Sequence, residues 1–161
     1  MAAQLQRTAP PGLQAEQVVH IYQVRGALDA LAARLAAERR FRIDPRLLDA
    51  GRRAAGSGDV EAMVDADLAF HRAIYAASGN ALIEKSAQPH WDSLRRVMAA
   101  VLQQTRQRAA AWDEHEAIAS AIAQGDGSRA ARLIEEHSRN AAFHLAHRLG
   151  EMLGKPKTRG V

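Results

Sequence analysis

The sequence predicts an all-α fold, an antiparallel bundle of about six helices, and three observations carry that prediction. Helix start and stop signals recur along the 161 residues with no domain-sized gap between them. Apolar residues repeat at three- and four-residue spacing within the segments so bounded. Ala, Leu and Arg dominate while aromatics are only 4%, so strand formers are too sparse for a sheet, and the interior must be built from small and aliphatic side chains. With 47% apolar residues a chain of this length buries a real core in one domain.

The first helix is expected from about Gln14 to Arg40, with Val18, Ile21, Leu28, Ala32 and Leu35 on its inward face. Asp44-Pro45 starts the second, because Asp is a favoured N-cap and Pro is pre-shaped for the first helical position; Gly56-Ser-Gly58 ends it. Asp59 caps the third, which runs to Ser78-Gly79-Asn80. The fourth follows to about Gln104, and Pro89 inside it removes a backbone donor, which predicts a kink or break near Gln88. The fifth spans about Arg108 to Gln124, and Gly125-Asp126-Gly127 separates it from a sixth reaching about Leu153. Residues 14–153 thus form one helical domain, with residues 1–13 and 154–161 as flexible ends.

Cysteine is absent, which removes disulfides, thiolate ligands and Cys nucleophiles together. Any metal must rest on His and carboxylate groups. Net charge is +4, but Lys and Arg are spread along every segment, so no nucleic-acid stripe stands out, and the tail Lys155 to Arg159 reads as solvated. The N-terminus lacks the apolar run of a secretory signal and no stretch is long enough to span a membrane, so a cytoplasmic location without membrane contact is expected.

Chemistry concentrates on three helices. The inward line of the third is Val60, Val64, Asp67, His71, Ile74 and Ser78, an apolar seam interrupted by two ionisable groups one turn apart, about 6 Å along the axis. His115 lies on the line Ala111, His115, Ile118, Ile122, and His137 on the line Ala130, Leu133, His137, Ala141. Groups facing a core must be paired, hydrogen-bonded or metal-bound. One Asp and three His converging from adjacent helices suit Zn²⁺ first, then Ni²⁺, Mn²⁺ or Fe²⁺; a cluster satisfied only by its own hydrogen bonds stays open as the alternative. His144 is two turns beyond His137, about 10 Å away, too far for the same ion, and reads as a separately satisfied inward histidine. His20, His90 and His147 are assigned to surface or packing. Arg25 falls between Ile21 and Leu28, facing inward either as the partner of Asp67 or Asp29 or as a fork for a ligand carboxylate, while Arg95 and Asn140 are further candidates to reach a central pocket.

Tyr22-Gln-Val-Arg25-Gly-Ala-Leu28-Asp29, Asp67-Leu-Ala-Phe70-His71-Arg-Ala-Ile74, Ser78-Gly79-Asn80, Glu114-His115-Glu-Ala-Ile118, and Asp126 followed by Ala130-Ala131 and His137 agree in order and spacing with a known pattern. From about Gln17 to Leu149 the chain resembles the FCD effector-binding domain of the FadR subfamily of GntR-type bacterial transcription regulators. The resemblance implies a dimeric helical bundle, a metal on Asp67, His71, His115 and His137, and a small carboxylate effector near it, gripped by Arg25. It also implies DNA contact only through a winged helix-turn-helix not present in this chain. Asp29 stands where a Glu is usual, and the expectation is an isolated sensor fragment or a stand-alone domain.

A metal-dependent enzyme of helical-bundle type is the main rival, and a purely structural dimerisation bundle the other. The zinc-protease pattern needs a second His four after the first, but Ala119 stands there after His115-Glu116, and no residue is left with an assigned role as general base. The chain is therefore read as a non-catalytic binding domain.

Overall fold

Helix punctuation in the sequence translates directly into elements in the computed structural model of the chain. It describes residues 13–102 and 109–154. Among them run α1 (Ala15–Glu38), α2 (Pro45–Ser57), α3 (Val60–Ser78), α4 (Ala81–Val101), α5 (Ala109–Gln124) and α6 (Gly127–Gly154), with no strand. The expected flexible end at 1–13, all but Leu13, the solvated tail from Lys155, the end of the fourth helix at Gln104 and the start of the fifth at Arg108 lie outside the described residues.

Each predicted cap makes its bond. The side chain of Asp44 accepts from the Arg46 amide at 2.9 Å, Asp59 from Ala62 at 3.1 Å and Asn80 from Leu82 at 3.1 Å; Asp126, expected only as part of a break, likewise accepts from Arg129 at 3.0 Å. Gly79 ends α3 with φ of 71°, a left-handed turn that a side chain resists. Pro89 does not break α4, which is continuous from Ala81 to Val101. The physical reason is exposure: both Pro89 and Lys85, whose carbonyl loses its donor, lie on the solvent side, where water replaces the missing bond.

Helix α1 is the central element, packing most extensively on α6 and also touching α3, α4 and α5. Small residues permit this closeness: a Cβ at Gly26 would lie 3.2 Å from the Cβ of Ser138 on α6. The buried face of α1 differs from the expected one. Val18, Ala32 and Arg25 are buried as expected, but Ile21, Leu28 and Leu35 are only half-buried flanks, while Tyr22 and Asp29 turn inward. Aliphatic periodicity misplaces this face because its polar members satisfy one another inside the bundle, so the interior accepts them and the aliphatics seal its rim.

Helix α2 closes one side by lying across α3 and α5. Its Gly51 is required by contact, since a Cβ there would fall 2.1 Å from the ring of buried Trp112 on α5. Gly51→Val should therefore cost about 1–3 kcal/mol through forced displacement of the indole. Urea denaturation checks it against Gly56→Val, whose Cβ meets nothing within 4 Å; equal losses would show that helix propensity, not Trp112, sets the effect.

Candidate functional site

The three helices predicted to carry the ionisable residues bring them to one point. Asp67 and His71 on α3, His115 on α5 and His137 on α6 each offer one donor atom, and these atoms lie within 4.8 Å of one another. His115 Nε2 is 3.2 Å from Asp67 Oδ1 and 3.2 Å from His137 Nε2, and His71 Nε2 is 3.7 Å from Asp67 Oδ1. Donors bound at about 2.0–2.2 Å around one ion stand about 3–4.5 Å apart, so the spacing suits a divalent cation. The three imidazoles are buried and Asp67 is 17% exposed, which leaves its carboxylate as the member nearest solvent.

Neighbouring groups fix the ring orientations. His137 Nδ1 donates to Glu114 Oε2 at 2.6 Å; because a carboxylate only accepts, the Nε2 of a neutral His137 carries a lone pair aimed at the cluster. His71 Nδ1 lies 3.3 Å from Asp29 Oδ2, off the line of a good hydrogen bond but close enough to feel its charge. His115 has no partner for its buried Nδ1; instead its ring is stacked on Phe70 at 4.2 Å and held edge-on by Trp112 at 4.4 Å. Burial pushes His115 down to about 4 against the opposing hydrogen bond from Asp67, and burial lowers His71 in the same way. Burial acts to raise Asp67, but its bond to His115 and the charge of Arg25 outweigh it and hold the carboxyl well below the usual range. Neutral imidazoles beside an ionised carboxylate are the protonation states a metal binds.

Behind the cluster stands a buried charge network that the sequence disclosed only in part. Arg25, 1% exposed, donates from Nε to Asp29 Oδ2 at 3.1 Å, and its second terminal nitrogen, Nη2, is 3.4 Å from His71 Nε2. Its guanidinium lies over the rings of Trp91 at 4.0 Å and Tyr22 at 4.9 Å. Tyr75 donates its hydroxyl to Asp29 Oδ1, and Trp91 Nε1 donates to that hydroxyl at 3.0 Å. The remaining terminal nitrogen of Arg25, Nη1, is buried without a partner. Of the two readings of Arg25, the partner of Asp29 is present, yet one donor of the fork is left over.

The cluster forms one wall of a cavity of about 630 Å³. Arg25, Asp67, His115, His137, Glu114 and Asn140 line its polar side; His71 lies behind them. Asn140 donates to Glu114 Oε1 at 3.0 Å. Arg95 is not brought to the cavity; it pairs with Asp65 on the surface. His144 is an exposed residue on the cavity rim, edge-on to Phe143, and not the inward satisfied histidine expected. Beyond His137 the buried line of α6 passes through Ala142, Leu145 and Leu149, which leaves His144 to one side of it. His20 and His147 are exposed, 4.0 and 3.9 Å from Glu16 and Glu151, and His90 is half-buried. Glu114, Tyr75, Trp91 and Trp112 escaped the sequence reading; only the adjacency of Glu114 to His115 hinted at a role, and nothing within α5 tells which α6 residue it serves.

The FCD domain family matches residues 20–140 of the chain. The chain is also 32% identical over 139 residues to the HTH-type transcriptional regulator LutR of Bacillus subtilis (strain 168). That alignment takes in 78% of this chain and 60% of the relative, so the chain spans about 60% of the length of the curated relative it matches. Among the described residues no helix is long and apolar enough to cross a membrane.

The buried network sets a pH dependence whose sign can be worked out. In the metal-free protein His115 and His71 stay neutral while the unfolded chain takes up their protons below about pH 6.5, so stability falls as pH drops from there toward 4. Chemical denaturation of chelator-treated protein between pH 7 and 4 should show this slope, and His115→Gln should flatten it. Asp29→Asn leaves the Arg25 charge unpaired and should cost about 3–5 kcal/mol at neutral pH; a loss under about 1 kcal/mol, the range of exposed pairs, would mean that water reaches Arg25.

Proposed function

Because the chain belongs to the FCD domain family, matched over residues 20–140, we propose that it is the ligand-sensing and dimerisation part of a GntR-type transcription regulator. In this reading it binds one divalent metal on Asp67, His71, His115 and His137 and a small carboxylate effector beside it. Binding changes how a winged helix-turn-helix outside this chain sits on DNA. The observation that carries the reading is a shared cavity wall: Asp67, His115 and His137 of the donor cluster, whose four donor atoms lie within 4.8 Å of one another, line it together with Arg25, whose Nη1 is buried without a partner. Similarity to an HTH-type transcriptional regulator favours a regulatory role over catalysis. Glu114, the carboxylate beside the donor cluster, is committed to His137 and Asn140.

A bound divalent ion would supply a Lewis-acid anchor for an effector oxygen, Zn²⁺ being the first choice for this nitrogen and oxygen set. The chain does the rest. Glu114 holds His137 in the tautomer that presents Nε2, Phe70 and Trp112 hold the His115 ring, and Asp29 keeps Arg25 charged and in place. Were His71 Nε2 to hold an ion, Arg25 Nη2 would lose that contact, and both terminal nitrogens of the fork would be open to a carboxylate. Effector binding can shift the regulator only by fitting one arrangement of α1, α3, α5 and α6 better than another, and the site touches all four.

Protein purified without chelator should contain close to one divalent metal per chain by elemental analysis and melt lower after metal removal. His115→Ala and His137→Ala should abolish that shift, while His144→Ala on the rim leaves it intact. Metal-free protein with no melting shift on adding Zn²⁺, Ni²⁺ or Mn²⁺ would return the cluster to a purely structural role.

Arg25→Ala should weaken carboxylate binding to metal-loaded protein by roughly ten- to a hundredfold, with Arg25→Lys restoring little because a point charge does not replace the fork. Calorimetry on refolding-competent variants reads this directly; unchanged affinity would remove Arg25 from the effector site.

A further inference from the structure

The cavity lining is mixed in character. Besides the donor cluster it includes Met63 on α3, Met98, Val101 and Leu102 on and just after α4, and Leu145 on α6, each at most 8% exposed. At about 630 Å³ it holds roughly twenty waters' worth of space, several times what a two- or three-carbon acid fills. Water beside these apolar side chains would find few partners, so an apolar group displaces it favourably. Two methionines among them, unbranched and polarisable, conform readily to a flexible chain.

The charges of the rim indicate how many anionic ends the occupant has. Arg148 is already paired with Glu151 at 3.1 Å, Asn140 with Glu114 at 3.0 Å, and His144 is exposed against Phe143. Arg25 Nη1 is a buried cationic donor without a partner, on a residue that lines the cavity. One anion is therefore called for, at the cluster end.

We propose that the ligand of this cavity is a monocarboxylate with a medium-length aliphatic body, its carboxylate at Arg25 and the donor cluster and its chain in the lobe of Met63, Met98, Val101, Leu102 and Leu145. The inference rests on the reading that a carboxylate binds at this site, and adds the chemistry of the remainder of the molecule.

Calorimetry on Zn²⁺-loaded protein with acetate, octanoate and octanedioate tests it. Each methylene buried is worth roughly fourfold in affinity, so octanoate, with six more methylenes than acetate, should bind at least about sixtyfold tighter even with only half of them buried. Octanedioate should bind at least about tenfold more weakly than octanoate, since its second carboxylate would enter the lobe without a partner. Met98→Gln, close in volume, and Ala55→Phe, which fills the lobe from α2, should each lower octanoate affinity about tenfold or more and leave acetate unchanged; circular dichroism and a retained Zn²⁺-dependent melting shift establish that each variant is folded. Acetate and octanoate binding within about threefold of each other, or octanedioate binding best, overturns the aliphatic lobe while the carboxylate reading stands. Failure of all three acids to bind overturns both.

Discussion

A guanidinium held almost without water in the middle of a helical bundle constrains everything around it. Arg25 cannot give up its proton, and a buried unpaired charge would cost several kcal/mol, so Asp29 one turn away must be ionised and buried with it. Asp29 in turn needs its other oxygen satisfied, which Tyr75 does from α3, and Tyr75 is itself fixed by Trp91 from α4. Three helices are thereby keyed together by one ion pair, and the flat faces of Trp91 and Tyr22 cover the cation. The network stops one hydrogen bond short, at Nη1.

The four donor residues add a second, long-range tie. They stand on α3, α5 and α6, separated by as many as seventy positions in the chain, so they meet only once the bundle has formed. Were they to hold an ion, its affinity and the stability of the helix arrangement would be two expressions of one free energy. The support behind them is uneven: His137 has a carboxylate on its outer nitrogen, His71 has Asp29 nearby, and His115 relies on aromatic contacts alone. Trp112, seated on Gly51, is accordingly the link by which α2 reaches the cluster.

Much of this was legible in the sequence because it is written locally. The caps at Asp44, Asp59 and Asn80, the stop at Gly79 and the inward line through Asp67 and His71 each depend on residues within a few positions of one another. The helical spacing of His115 and His137 is also local, and it sufficed to place all four donors on facing lines. What eluded the reading depends on partners far along the chain. The inward turn of Asp29 is explained by Tyr75, forty-six residues away, and the orientation of His137 by Glu114, twenty-three away. Pro89 and Arg95 show the same limit from the other side: a breaker on a solvent-facing turn breaks nothing, and a cation with a surface partner in Asp65 has no reason to enter a cavity.

The chain has two tryptophans, and the architecture sets them at opposite ends of the site. Trp91 lies under the Arg25 guanidinium and donates to Tyr75, while Trp112 faces the cavity and contacts the His115 ring. An indole beneath a fixed cation and an indole beside an imidazole differ in local field and in quenching, so their emission differs in wavelength and yield. The protein therefore contains a pair of intrinsic optical reporters, one for the charge network and one for the cavity, and single replacement of either by phenylalanine separates the two signals without an added dye.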